Sequence, residues 1–192
     1  TSKSLLKIFS NRSKPLQLIE TDADVARGAT WLAENHPACA VALKQTGPLP
    51  LRRRADGFAQ LLSAIMSQQV STASAAAIWK RMEEAGLTTE HAVLSAGEDG
   101  LRAAGLSRQK IAYAQALAAA EIDYVALRDV SDEDVIKTLT AVKGIGVWTA
   151  EIYAMFSLGR SDVFAPGDLA LQIAAQDMLG LKARPTEKEM RA

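Results

Sequence analysis

Apolar residues recur at helical spacing along nearly all of this 192-residue chain, and no segment alternates apolar and polar residues as a half-buried strand would. Thr21-Asp22 opens a predicted helix that carries Val25, Ala29, Leu32 and Ala33 on one face and ends at His36-Pro37. Gly47-Pro48-Leu49-Pro50 breaks the pattern. From Asp56 onward, Phe58, Leu61, Leu62, Ile65 and Met66 line one apolar face, which reaches Ser67-Gln68-Gln69-Val70. Ser71 or Thr72 then caps a helix with Ala75, Ala76, Ile78, Trp79 and Met82, ending at Gly86. Two short glycine-closed helices are predicted over 89–95 and 98–104, and Ser107 opens a longer one with Ile111, Ala114, Leu117 and Ala118 inward. Ser131, with Asp134 as an imperfect capping box, starts a run through Val135, Ile136 and Leu139. Gly144-Ile145-Gly146 interrupts it briefly, Val147 to Leu158 resumes it, and Gly159 closes it. Asp168 to Leu179 follows, and Thr186 with Glu187 and Glu189 marks one more helix start. The chain reads as all-α, with many short helices and tight connections.

Composition narrows the function classes. The length suffices for one large domain or two small lobes with a real core. No apolar run is long enough to span a bilayer, and no secretory leader is read. A start at Thr1 rather than Met is read as processing or trimming. Cys39 is the single cysteine, which excludes an internal disulfide and a cysteine-held cluster, and a reducing cytoplasm fits. Formal net charge is zero, so binding to nucleic acid would need a local basic patch rather than a global field. Arg52-Arg53-Arg54 is the obvious cluster, and equally a solvated loop ahead of a helix.

The segment Leu139 to Ala150 is the most informative. Glycines on either side of Ile145 let the backbone turn sharply, and the amides opening the next helix then face outward. Helix N-terminal amides attract phosphate, so such a turn grips DNA backbone without reading sequence. A Gly-x-Gly between helices is also an ordinary tight connection. Here it is followed by Leu158-Gly159-Arg160-Ser161-Asp162-Val163-Phe164-Ala165-Pro166-Gly167-Asp168 and preceded by Gln68-Gln69-Val70-Ser71. Together these segments closely resemble the helix-hairpin-helix (HhH-GPD) superfamily of DNA glycosylases, above all its 3-methyladenine DNA glycosylase II branch. The resemblance runs from about Phe58 to Asp177.

The resemblance implies a two-lobed helical bundle over 1–192. The hairpin would lie at about 131–158, a catalytic loop and helix at 159–179, and DNA in the cleft between the lobes. It makes Asp168 the catalytic residue. A carboxylate near C1′ stabilises the cation that develops as a base departs and can orient the attacking water. On pattern alone Asp168 is also an ordinary helix N-cap, and the two roles can coexist. Asp162 is the rival carboxylate, with Arg160 as its expected partner in holding the loop. Lyase-type relatives carry a nucleophilic lysine where this chain has Trp148, so cleavage should be monofunctional, with no Schiff base. Trp148 can stack on a flipped, electron-poor base, or belong to the core. Ile152, Tyr153 and Phe164 are further pocket candidates, although aromatic residues at helical spacing are usually core. Ile152 stands where better-known branch members have a tyrosine, which leaves base preference open. Gln69 sits at the position that fills the gap left by an extruded nucleotide, although glutamine at a helix boundary is by default a surface residue.

Gly144, Ile145, Gly146 and Thr149 are the implied DNA-backbone contacts. The carbonyls of Thr140, Val142 and Ile145 are the implied ligands of a structural Na+ or K+, and no cofactor is required. The implied partner is double-stranded DNA carrying alkylated bases, with no membrane and no small-molecule cofactor. The protein would act as a monomer in the cytoplasm, nucleoid-associated if bacterial. The alternatives are a non-enzymatic hairpin module that only binds DNA, and a glycosylase of another damaged-base specificity. Finally, the helix begun at Thr186 stops after barely two turns at Ala192, too short to stand alone, so a further C-terminal helix is expected to be missing.

Overall fold

The computed structural model describes residues 17–191, so most of the weakly periodic stretch from Thr1 to Glu20, with its break at Lys14-Pro15, lies outside them. Regular structure among the described residues is helical, and the one pairing of extended backbone there is the isolated antiparallel bridge between Leu18 and Arg160. The all-α expectation holds. The chain forms two compact units: Arg54–Tyr153, and Thr1–Arg53 with Ala154–Ala192.

The unit Arg54–Tyr153 holds α3 (Phe58–Met66), α4 (Thr72–Glu84), α5 (Glu90–Ala103), α6 (Arg108–Ala118) and α7 (Asp132–Thr140), and most of α8 (Val147–Phe156). Every residue of the predicted α3 face is buried: Phe58, Leu61, Leu62, Ile65 and Met66. So are Ile111, Ala114, Leu117 and Ala118 of α6, against which α3 and α5 pack. Each large side chain buried in this way contributes roughly 1.5–3 kcal/mol relative to exposure. The helix starts are set by hydroxyls. Ser71, Thr89, Ser107 and Ser131 accept the amides of Ser74, Ala92, Lys110 and Asp134 at 3.1–3.3 Å, each cap being worth about 1 kcal/mol.

The two short helices expected over 89–95 and 98–104 are both present, as the two arms of α5 on either side of Gly97, whose φ of 61° is not helical. The face expected for α4 needs correction. In α4 only Ala75 and Met82 are buried, whereas Ala76, Ile78 and Trp79 are not. Trp79 leans outward because its indole N–H donates to Glu83 Oε1 at 2.7 Å, a turn further along the helix.

The other unit holds α1 (Asp22–Asn35), α2 (Pro37–Thr46), α9 (Leu169–Leu179) and α10 (Glu187–Arg191). Thr21 and Asp24 form a reciprocal capping box at the start of α1. Hydrogen bonds from the Thr21 side chain, the Glu20 amide and Arg27 hold the Asp24 carboxyl well below the usual carboxylate range. His36-Pro37 ends α1 as predicted, but it also begins α2. Proline at the first helical position sacrifices no hydrogen bond, since that amide has no partner within the helix anyway. Val25, Ala29, Leu32 and Ala33 are only half-buried, and α1 packs against α2.

The loop leaving α8 is fastened within this unit. Ile19 N–H donates to Gly159 O at 2.7 Å, Ser161 N–H to Gln17 O at 3.2 Å, and Arg160 N–H to Ala154 O at 3.0 Å. Gly159 has φ 74°, and a Cβ there would stand 2.8 Å from Ile19 O. Arg53 donates to Ser157 O at 2.7 Å and to Phe156 O at 3.5 Å, at the carbonyl end of α8. One member of the arginine cluster is therefore a helix cap.

Candidate functional site

The hairpin lies in the unit Arg54–Tyr153. Helix α7 closes with Ala141 N–H on Lys137 O and Val142 N–H on Leu139 O, and Ile145 N–H then reaches back to Val142 O at 3.1 Å. Ile145 is 5% exposed, so it pins the turn inward as expected. Gly144 has φ 99°, a conformation that L side chains avoid, and any Cβ there would overlap the ring of Tyr113. Gly146 differs. Its φ is not positive and a Cβ would meet nothing within 4 Å, so neither backbone nor packing demands glycine there. The turn therefore needs one glycine for its geometry, and the second leaves the start of α8 open.

Ala150 N–H donates to Gly146 O at 3.1 Å, which begins the α8 ladder. A helix start leaves its first amides outside that ladder and carries the positive end of the helix dipole. Gly146, Val147 and Trp148 are exposed at this point. Thr149, an expected backbone contact, is only 6% exposed, so its hydroxyl is not displayed at the surface. Trp148 is 47% exposed, which takes it out of the core, and Ile152 is half-buried.

Tyr153 departs from its expected place in a base pocket. It is 3% exposed, and its phenol oxygen accepts the amide of Gly57, the N-cap of α3, at 2.7 Å. Burial pushes its pKa up to about 12. Tyr153 is thus a core residue that satisfies a helix start. Burial favours the neutral phenol in the folded state, so the stability linked to it is complete below about pH 10 and is lost as pH rises towards 12, because the phenolate would be buried. Tyr153→Phe is expected to lower stability by about 1 kcal/mol, the cost of an unpaired amide, and to flatten that alkaline loss. Urea unfolding at pH 7 and pH 11 measures both.

Gln69 occupies the turn between α3 and α4, is exposed, and has φ 57° without being glycine.

The loop expected to be catalytic, 159–168, lies in the other unit. Ala165 and Pro166 are fully buried and anchor it, while Gly167 is exposed and Phe164 half-buried. Asp168 is the N-cap of α9. Its Oδ1 accepts the amides of Ala170 at 2.9 Å and Leu171 at 3.2 Å. Gln172 Nε2, one turn on, donates to Pro166 O at 2.9 Å and ties the loop to the helix it precedes. The cap reading of Asp168 is correct, and the cap holds the carboxylate in one orientation. Asp162 is exposed and Arg160 buried.

Sequence reasoning missed the supports. Arg53 on α8 and Tyr113 beneath Gly144 leave no local pattern, because each pairs residues far apart in sequence, while Gln172 on Pro166 is local but carries no recognised motif.

Residues 62–192 match the family described as HhH-GPD superfamily base excision DNA repair protein. A Schizosaccharomyces pombe DNA-3-methyladenine glycosylase is 30% identical over 139 residues, covering 68% of this chain and 61% of that protein. This chain thus matches about three fifths of that relative's length. Among solved structures, a DNA-3-methyladenine glycosidase from Bacillus halodurans superposes with a TM-score of 0.73 at 28% identity, covering 92% of this chain and 82% of that one. An S. pombe 3-methyladenine DNA glycosylase in complex with abasic DNA gives a TM-score of 0.70 at 27% identity, covering 84% of each chain.

Proposed function

The chain belongs to the HhH-GPD superfamily of base excision DNA repair proteins, and from that premise we propose that it is a monofunctional glycosylase that removes alkylated purines from double-stranded DNA. The observation that carries the reading is Asp168. The resemblance assigns it the place of the superfamily's essential aspartate, and its carboxylate is fixed by two helix amides.

N-glycosidic cleavage builds positive charge on the deoxyribose, and a preorganised carboxylate lowers that barrier electrostatically. A purine methylated at N3 or N7 is already cationic and leaves without strong acid catalysis. A single carboxylate therefore suffices for bases such as 3-methyladenine and 7-methylguanine. The exposed start of α8 at Gly146–Trp148 takes a DNA phosphate through its amides. Trp148 offers its ring to the flipped base, where a cationic purine stacks favourably on an indole. Exposed Gln69 fills the vacated space in the duplex. Neutral carbonyls at Thr140, Val142 and Ile145 suit a monovalent cation. Val142 O already accepts the Ile145 amide and keeps its second lone pair for such an ion. The protein is proposed to act as a monomer.

The test is incubation with duplex DNA alkylated at purines, identifying released bases by mass and following the strands on a denaturing gel. Free alkylated purines with intact strands bearing abasic sites are expected. Position 148 lacks a nucleophilic amine, so borohydride should trap no covalent complex. A trapped adduct would overturn the monofunctional assignment, and DNA binding without any base release would overturn the enzymatic one.

A further inference from the structure

The strained turn at Gln69 has a dedicated support. Glutamine rarely adopts φ 57°, and surrounding contacts must hold it there. Both flanks are tied to distant parts of the same unit. Before the turn, the Lys110 ammonium on α6 donates to Met66 O, at the last residue of α3. Within it, Gln68 Nε2 donates to Gly144 O at 3.0 Å, across 76 positions of sequence. The same Gly144 packs so closely on Tyr113, one turn beyond Lys110 on α6, that no Cβ fits between them. Three elements therefore meet around Gln68: the turn bearing Gln69, the hairpin, and the face of α6 that carries Lys110 and Tyr113. Gln68 is half-buried and Gln69 exposed, so one glutamine faces the protein while its neighbour faces out.

We propose that Gln68 is a positioning residue, whose amide fixes the strained turn bearing Gln69 to the hairpin at Gly144. This rests on the glycosylase reading, in which Gln69 fills the duplex and the hairpin holds the backbone. Gap filling and phosphate binding must occur in a fixed spatial relation, because the vacated base step and the gripped phosphate belong to one rigid duplex. A direct hydrogen bond between the two segments sets that relation before DNA arrives. Preorganisation of this kind spares the ordering cost at the moment of extrusion.

Gln68→Met keeps the length of the side chain and removes its donors, while Gln68→Glu sets a carboxylate against the Gly144 carbonyl. With the full chain, either variant is expected to lose about tenfold in base release from a fully paired alkylated duplex, the scale of one hydrogen bond. The loss should shrink below about threefold when the alkylated purine faces an abasic analogue, because an unpaired base costs less to extrude. In a Gln69→Gly background, which removes both the filling side chain and the strain, Gln68→Met should cost nothing further. Equal losses on both substrates, or losses that multiply with Gln69→Gly, would overturn the proposal by making Gln68 a general stabiliser. Hydrogen–deuterium exchange of the free protein supplies an arm independent of activity. The amides of Ser67 and Gln68, which donate to Ser63 O and Ile65 O as the chain enters the turn, should exchange faster in Gln68→Met while those of Leu61–Ile65 keep their rates. Unchanged exchange at the turn would overturn the proposal whether or not the wild-type protein releases bases, whereas absent release by the wild type would overturn only the glycosylase reading.

Discussion

Asp168→Asn is expected to slow release of alkylated purines by about 10²–10³-fold, the range lost when one preorganised electrostatic contact to a developing charge is removed. The substitution is informative because it spares the structure. Asparagine is as good an N-cap as aspartate, and its side-chain oxygen can accept the amides of Ala170 and Leu171 that Asp168 accepts now. The start of α9 and the bond from Gln172 to Pro166 should therefore persist, and the thermal midpoint should move little. The negative charge disappears and one acceptor oxygen becomes an amide donor. DNA affinity should change slightly at most, since the carboxylate acts on charge that appears during bond cleavage. Single-turnover release with a fluorescently labelled duplex, alongside equilibrium binding, separates the two effects. Near-normal release by the variant would leave Asp168 as a cap and nothing more, and the catalytic role would have to move elsewhere.

What could be read in the sequence divides along physical lines. Caps and apolar faces are local, and they were legible. Thr21, Ser71, Ser107, Ser131 and Asp168 all cap as their neighbours suggested, and the inward faces of α3 and α6 are those that periodicity picks out. The site inherits this legibility in part. The hairpin glycines and the Pro166-Gly167-Asp168 loop are contiguous motifs, whereas what holds them in place is not. Tyr153 shows the limit from one side: an aromatic at helical spacing carries no mark that its hydroxyl will accept the Gly57 amide 96 positions away. Gln69 shows it from the other, since nothing in Ser67-Gln68-Gln69-Val70 announces a left-handed backbone at a residue that disfavours one. Pro37 ends α1 as read but hides the start of α2, because the signal that ends one helix is the same signal that starts the next.

The two hairpin glycines look equivalent in sequence and should behave oppositely. Gly144→Ala meets two penalties together. The backbone at φ 99° is one that alanine disfavours, and the new Cβ must displace the Tyr113 ring, whose own Cβ would stand 2.8 Å away. Because the clash falls on Cβ and Cγ of Tyr113, next to the α6 backbone, the half-buried ring has little freedom to retreat. A loss of about 2–4 kcal/mol is expected, beyond the usual range for a surface change, with DNA binding lost as the turn opens. Gly146→Ala meets neither penalty and should leave stability within about 0.5 kcal/mol. Its room is on the outer side, where the amides opening α8 would receive a phosphate. Gly146→Asp should thus fold normally yet weaken binding to every DNA sequence alike, with a shallower dependence on salt. Urea midpoints for the three variants, and binding to damaged and undamaged duplexes at several salt concentrations, give the comparison. A Gly146→Asp protein that lost affinity only for damaged DNA would contradict a hairpin that grips backbone, because phosphates are the same in both duplexes.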